Sequence, residues 1–99
     1  MDIIKKISEC LLQIILILES AQEYNWSDEI LRLFNNFELD NHSKENIHHI
    51  ARQILSLYGG MNSLNDVVLY KNGNCLKEQN DKLDNLRKSL FNLAIRGLE

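Results

Sequence analysis

Proline is absent from the 99 residues, and glycine occurs only four times. Without proline, nowhere is a backbone donor removed or φ locked against a helix, so helices face no sequence-imposed breaks except at turn-forming clusters. The two cysteines, Cys10 and Cys75, stand 65 residues apart with no secretory signal pattern before them. A disulfide framework is therefore not expected, and the spacing excludes a Cys-x-x-Cys metal or redox motif. Both are therefore expected as free thiols in a reducing compartment, and the location expected is cytoplasmic. No apolar run is long enough to span a bilayer, since Cys10 to Leu18 is interrupted by Gln13 and followed by Glu19. No membrane partner is expected.

Chemistry-bearing motifs are equally scarce. The three histidines are His42, His48 and His49. Adjacent imidazoles on a helix point about 100° apart, so His48 and His49 are poorly placed to share an ion, and no metal is expected. Neither a His-Glu-x-x-His spacing nor a calcium loop occurs, and Gly59-Gly60 lacks the surroundings of a phosphate or dinucleotide loop. No cofactor is expected. A thiol nucleophile needs a base and an electropositive pocket, and neither cysteine has neighbours of that kind. The chain is therefore read as a binding protein and not an enzyme. A nucleic-acid partner would call for a basic stripe with aromatic or glycine interleaving, which is also missing.

What the chain does contain is apolar periodicity. At 44% hydrophobic and 25% charged residues it has the composition of one globular domain spanning residues 1–99. Ile3, Ile4, Ile7, Leu11, Ile14, Ile15, Leu18 and Ala21 predict a first helix from about Asp2 to Glu23. Cys10, Leu12, Leu16 and Ile17 widen its stripe, as in a helix packed on more than one side. Tyr24-Asn25-Trp26 reads as a break, with Ser27 capping a second helix whose buried face is Ile30, Leu31, Phe34 and Phe37. Asn41 or Ser43 can cap a third, which buries Ile47, Ile50, Ala51, Ile54, Leu55 and Tyr58. Gly59 is expected to end it in the left-handed region.

Ser63 is a candidate cap for a short helix through Asn65 and Asp66. Val67 to Tyr70 is the only strand-like run; with no obvious partner it is read as a helical turn or an extended segment, followed by a strong turn signal at Lys71-Asn72-Gly73-Asn74. The last helix, about Leu76 to Arg96, carries Leu76, Leu83 and Leu90 at heptad spacing, and Leu86 and Leu93 likewise. That seam suits antiparallel packing or a homodimer. The fold class predicted is all-α: a bundle of four main helices plus one short helix or turn after the glycine pair.

Charge is unevenly distributed. Between residues 19 and 40, Glu19, Glu23, Asp28, Glu29, Glu38 and Asp40 face the single Arg32, a local balance of −5, whereas residues 71–99 hold six basic side chains against four acidic ones. An acidic helix can simply be a solvated face; it can also steer a cationic partner. A second candidate surface is the polar turn that contains Met61, Asn65 and Asp66, set between helices by two glycines. The same turn could serve structure alone, with Met61 filling the core.

The stretch from Ile54 to Leu69, with Tyr58-Gly59-Gly60-Met61, Ser63 and Asn65-Asp66, resembles the signature of a small family of uncharacterised bacterial helical proteins. Some members resemble immunity proteins encoded beside secreted or contact-delivered toxins. Asn62 and Leu64 depart from it, standing where relatives tend to carry glycine and an aromatic. The resemblance implies a helical binder of a cognate protein toxin. A cationic nuclease would be complemented by Glu19, Glu23, Asp28, Glu29, Glu38 and Asp40, with Met61, Asn65 and Asp66 as the second contact surface. The alternative is a homo-oligomeric structural or regulatory module built on the last-helix heptad.

Overall fold

The computed structural model describes residues 2–39, 44–59 and 63–99. Four helices dominate it: α1 (Asp2–Ser20), α2 (Tyr24–Leu39), α3 (Lys44–Ser56) and α4 (Lys77–Gly97), with a 3-10 turn at Leu64–Asp66 before a small hairpin of β1 (Tyr70–Lys71) and β2 (Asn74–Cys75). The architecture is mostly helical, not purely so.

α1 is the spine foreseen from its wide apolar stripe, packing along both α2 and α4, while α3 lies on α4 and meets α2 only sparingly. Ile7, Leu11, Ile14, Ile15 and Leu18 of α1 are buried. Each such side chain withdrawn from water contributes roughly 1.5–3 kcal/mol before entropy is counted. The widening was right for Cys10, which is buried, and for Ile17, which packs against the core; Leu12 and Leu16 remain exposed.

The first interhelical link differs from expectation. α1 ends at Ser20, not Glu23, because Gln22 adopts φ +60 and turns the chain within a few residues. α2 then starts at Tyr24, so Tyr24-Asn25-Trp26 is helix and Ser27 is no cap. Ser27 is buried, and its hydroxyl donates to the Tyr24 carbonyl oxygen at 3.1 Å, one turn back. A hydroxyl that can satisfy itself on its own helix needs no solvent and no cap position. The buried face of α2 is Ile30, Leu33 and Phe37, with Phe34 half-buried and Leu31 exposed.

α3 buries Ile47, Ile50, Ala51 and Ile54 as its spacing predicts, with Leu55 and Tyr58 half-buried. Its expected caps, Asn41 and Ser43, lie outside the described residues. Gly59 does not take the left-handed conformation: α3 closes through amide donations from Leu57 to the Ile54 carbonyl and from Tyr58 to the Leu55 carbonyl, before the glycine is reached.

Ser63 does precede a short helix, and Asp66 caps it from within, its carboxylate accepting the Ser63 N–H at 3.2 Å. Val67 and Leu69 are buried and Val68 is exposed, the alternation of an extended segment. The partner that the strand-like run lacked in sequence is the chain just beyond its own turn. Tyr70 pairs with Cys75 and Lys71 with Asn74, antiparallel, across Asn72 (φ 53) and Gly73 (φ 80). Two successive positive φ values make the tight hairpin for which Asn-Gly is the favoured pair. Asn80 ties the hairpin to α4: its Oδ1 accepts the Leu69 N–H at 2.8 Å, and its Nδ2 donates to the Leu69 and Leu76 carbonyls.

In α4, Leu83 and Leu90 are fully buried, and Leu76, Leu86 and Leu93 pack partly against the core. Leu83 and Leu90 are therefore core residues of a single chain.

Candidate functional site

The sparse contact between α2 and α3 leaves a groove. Two adjoining hollows of about 210 and 320 Å3 share Glu29, Ser56 and Leu57. The first continues to Arg32, Leu33, Asn36 and Gln53. The second runs to Asn25, Trp26, Gly59 and Ser63. Helical spacing explains the lining: Asn25, Glu29, Arg32 and Asn36 recur at three and four along one flank of α2. Leu33 and Trp26 supply apolar patches beside them.

Two features make this groove chemically distinct. Glu29 and Arg32 form an ion pair at 3.3 Å with both side chains largely exposed, so both remain open to exchange for other partners. Gln53 has its Oε1 buried with no hydrogen-bond partner among the described residues. A buried amide acceptor left unpaired costs about 1–3 kcal/mol. The nearby Ser56 hydroxyl does not serve, since it donates to the Gln53 backbone carbonyl at 2.6 Å.

The residues expected to bind a partner are only partly brought together. Glu29 lines the groove. Asp28, one residue earlier, is also exposed, but a helix turns it about 100° to another flank. Glu19 is exposed at the end of α1 and Glu23 is half-buried in the link to α2. Asp40 and Met61 lie outside the described residues, and Glu38 outside the described side chains. Asp66 is exposed but its carboxylate is occupied at Ser63. Asn65 borders a different hollow, with Tyr58, Lys88 and Phe91. The turn thus divides: Ser63 faces the groove and Asn65 faces α4.

Sequence reasoning missed Gln53, Arg32, Trp26 and Asn36 as lining residues. Their signal was a flank of α2 and α3 rich in amides, which is indistinguishable in sequence from a solvated face. It also missed Arg87, whose guanidinium is buried and donates to the Leu64 carbonyl at 2.7 Å and the Val67 carbonyl at 2.9 Å, while pairing with Asp84. This arginine fastens the segment after the 3-10 turn to α4.

Catalytic assemblies are not evident among the described residues. No group of three metal-ligating side chains occurs there, and no helix there is long and apolar enough to cross a membrane. Cys10 is buried, its Sγ 3.4 Å from the Leu86 carbonyl oxygen, and burial pushes its thiol up to about 11, which suppresses the thiolate. Cys75 is exposed and free.

Fold and groove together define a small four-helix protein with an open inter-helix cleft. Residues 19–77, more than half the chain, match a family described as "Domain of unknown function (DUF6966)", and the chain belongs to that family. No characterised protein and no solved structure matches it. The matched segment contains α2, α3, the 3-10 turn and the hairpin, and every residue lining the α2–α3 groove falls inside it. The hollows between α1 and α4 and beside Phe91 draw on residues outside it.

Proposed function

We propose that this protein is an immunity protein, a cytoplasmic binder that neutralises a cognate bacterial toxin by covering its active site or a neighbouring surface. The observation that carries the reading is the α2–α3 groove. It lies wholly within the family segment, and it is lined by amide side chains on Asn25, Asn36 and Gln53 together with the exposed carboxylate of Glu29. Such a cleft suits a protein partner that inserts a hydrogen-bond donor or a basic side chain; a cationic nuclease is one such toxin. The exposed carboxylates of Glu19, Asp28 and Glu29 would speed its approach, and that acceleration fades as salt shortens the screening length to about 8 Å at physiological ionic strength.

The homo-oligomeric alternative built on the last-helix heptad is weakened by the burial of Leu83 and Leu90 inside one chain.

The experiment is rescue of cells expressing the neighbouring toxin gene, with calorimetry on the purified pair. Ser56→Trp puts an indole into the groove from an exposed position, so the fold should survive while affinity falls at least tenfold. Asp28→Asn with Glu29→Gln should mainly slow association and weaken its salt dependence. Full protection by a folded Ser56→Trp protein would remove the groove from consideration. Full protection by both variants would end the reading of this segment as the toxin-binding surface.

A further inference from the structure

The hollow at the Trp26 end of the groove, about 320 Å3, lies at the small end of ligand clefts, which run from roughly 300 to 1,000 Å3. It suits a single side chain better than a cofactor. Trp26 and Glu29 stand three apart on α2 and both line it, so an indole and a carboxylate edge one opening. Trp26 is half-buried and packs against the core, which holds the indole in place, whereas the Glu29 side chain is half-exposed. Glu29 also lines the adjoining hollow, and there it already holds a guanidinium: Nη1 of Arg32 sits 3.3 Å from its Oε2. The Arg32 side chain is 69% exposed, so water compensates it readily on release. Arg32 is not among the residues that line the Trp26 hollow.

A carboxylate beside an aromatic face is a pairing that a planar guanidinium satisfies in two ways at once, by parallel N–H donations to the carboxylate and by stacking on the ring. A lysine ammonium is a compact, strongly hydrated point charge and gains less from the ring. The surrounding charge also calls for a cation. Arg32 is the one basic residue between 19 and 40, against six acidic ones. On α3, Arg52 stands one turn before Ser56 but lines neither hollow. We propose that the Trp26–Glu29 half of the groove is a subsite for an arginine side chain of the protein partner, and that Arg32 is the internal guanidinium which that arginine displaces from Glu29. This rests on the reading of the groove as the toxin-binding surface and names the side chain that the surface receives.

Trp26 is the only tryptophan of the chain, so its indole Nε1–H resonance reports on this hollow directly. The probe is a blocked tripeptide, acetyl-Gly-Arg-Gly-amide, titrated into the millimolar range beside the same peptide with lysine or with neutral, nearly isosteric citrulline. Saturable shifts of the indole and of the Glu29 amide are expected with arginine, weaker binding with lysine, and none with citrulline. Glu29→Gln, at an exposed position, should weaken arginine binding about tenfold through loss of the charge-assisted bonds. Arg32→Gln removes the internal competitor and should tighten binding about two- to fivefold, the worth of one exposed ion pair. Lys71→Gln, which removes the same charge on the hairpin, should leave it unchanged. An arginine peptide that does not shift the indole would overturn the subsite, as would citrulline binding equally well, an ineffective Glu29→Gln, or Arg32→Gln binding no tighter than Lys71→Gln. None of these measurements uses the toxin. A peptide that fails to bind while Ser56→Trp loses protection would keep the groove and overturn the arginine; a peptide that binds as expected while Ser56→Trp protects fully would keep the arginine subsite and end the toxin as its source.

Discussion

The hydroxyl of Tyr58 donates to the carbonyl oxygen of Arg87 at 2.6 Å, joining the turn after α3 to the middle of α4. The same ring meets Phe91 edge-on, with centroids 5.2 Å apart and planes at 74°. Tyr58→Phe keeps the ring contact and removes one hydrogen bond, so it should cost about 1 kcal/mol. Tyr58→Ala removes both and should cost several times more. Urea denaturation of the two variants separates the contributions; equal losses would mean the hydroxyl is the whole anchor.

Arg87 is the larger liability. Its guanidinium donates to the carbonyls of Leu64 and Val67 inside the protein, so Arg87→Met keeps much of the side-chain bulk but strands the Val67 carbonyl and leaves that of Leu64 with the Val67 N–H alone. A loss of roughly 1–3 kcal/mol is expected, the range for one buried acceptor left unpaired. Hydrogen exchange should show the amides of residues 64–69 opening first. Unchanged protection there would mean that the arginine does not fasten this segment.

Stability should fall in alkali. Burial raises the Cys10 thiol from 9.0 to about 11. Burial, then the nearby Cys10 charge, raises the Tyr58 phenol above its usual 10.0, with Arg87 opposing. Both groups are neutral when protonated, and the unfolded chain releases these protons first. Between the unfolded and folded values the native state holds more protons, so stability decreases as pH rises. The Cys10 contribution is complete below about pH 9 and is lost progressively up to about 11. Denaturation midpoints measured from pH 8 to 11 should decline, and Cys10→Ala should flatten the decline. An unaltered slope in that variant would remove Cys10 as a cause.

Thiol titration gives an independent check on burial. Cys75 is exposed and Cys10 buried, so a thiol reagent at pH 8 should label one equivalent rapidly and the second only on unfolding. Two fast equivalents in the folded protein would contradict the placement of α1 on α4.

Glycine substitutions separate the two turns. Gly73 has φ +80, and Gly73→Ala should cost about 1 kcal/mol because a β-carbon is strained there. Gly59 has no described atom within 4 Å of a built β-carbon and no left-handed φ, so Gly59→Ala should lie within about 0.5 kcal/mol of wild type. A loss at Gly59 comparable with that at Gly73 would reinstate it as a helix-terminating residue.

The sequence by itself determined the elements whose signals are local. The three-and-four spacing of Ile47, Ile50, Ala51 and Ile54 places the core face of α3, and Asn72-Gly73 dictates a turn, because helix periodicity and positive-φ preference need no partner to be legible. Ser63 and Asp66 form their cap within four residues for the same reason. Only the tertiary structure decided what depends on contacts between distant segments. Ser27 reads as a cap, yet α2 starts before it and its buried hydroxyl donates to the Tyr24 carbonyl oxygen of the same helix. Leu33 is buried and Leu31 exposed because the rest of the fold covers the Ile30, Leu33 and Phe37 face of α2. Arg87 carries a charge that sequence assigns to the surface, and it is buried because the carbonyls of Leu64 and Val67, some twenty residues away, accept its protons. The groove belongs to the same class: Gln53 and Glu29 come from different helices, and their meeting depends on α3 settling on α4 and leaving α2 uncovered along one side.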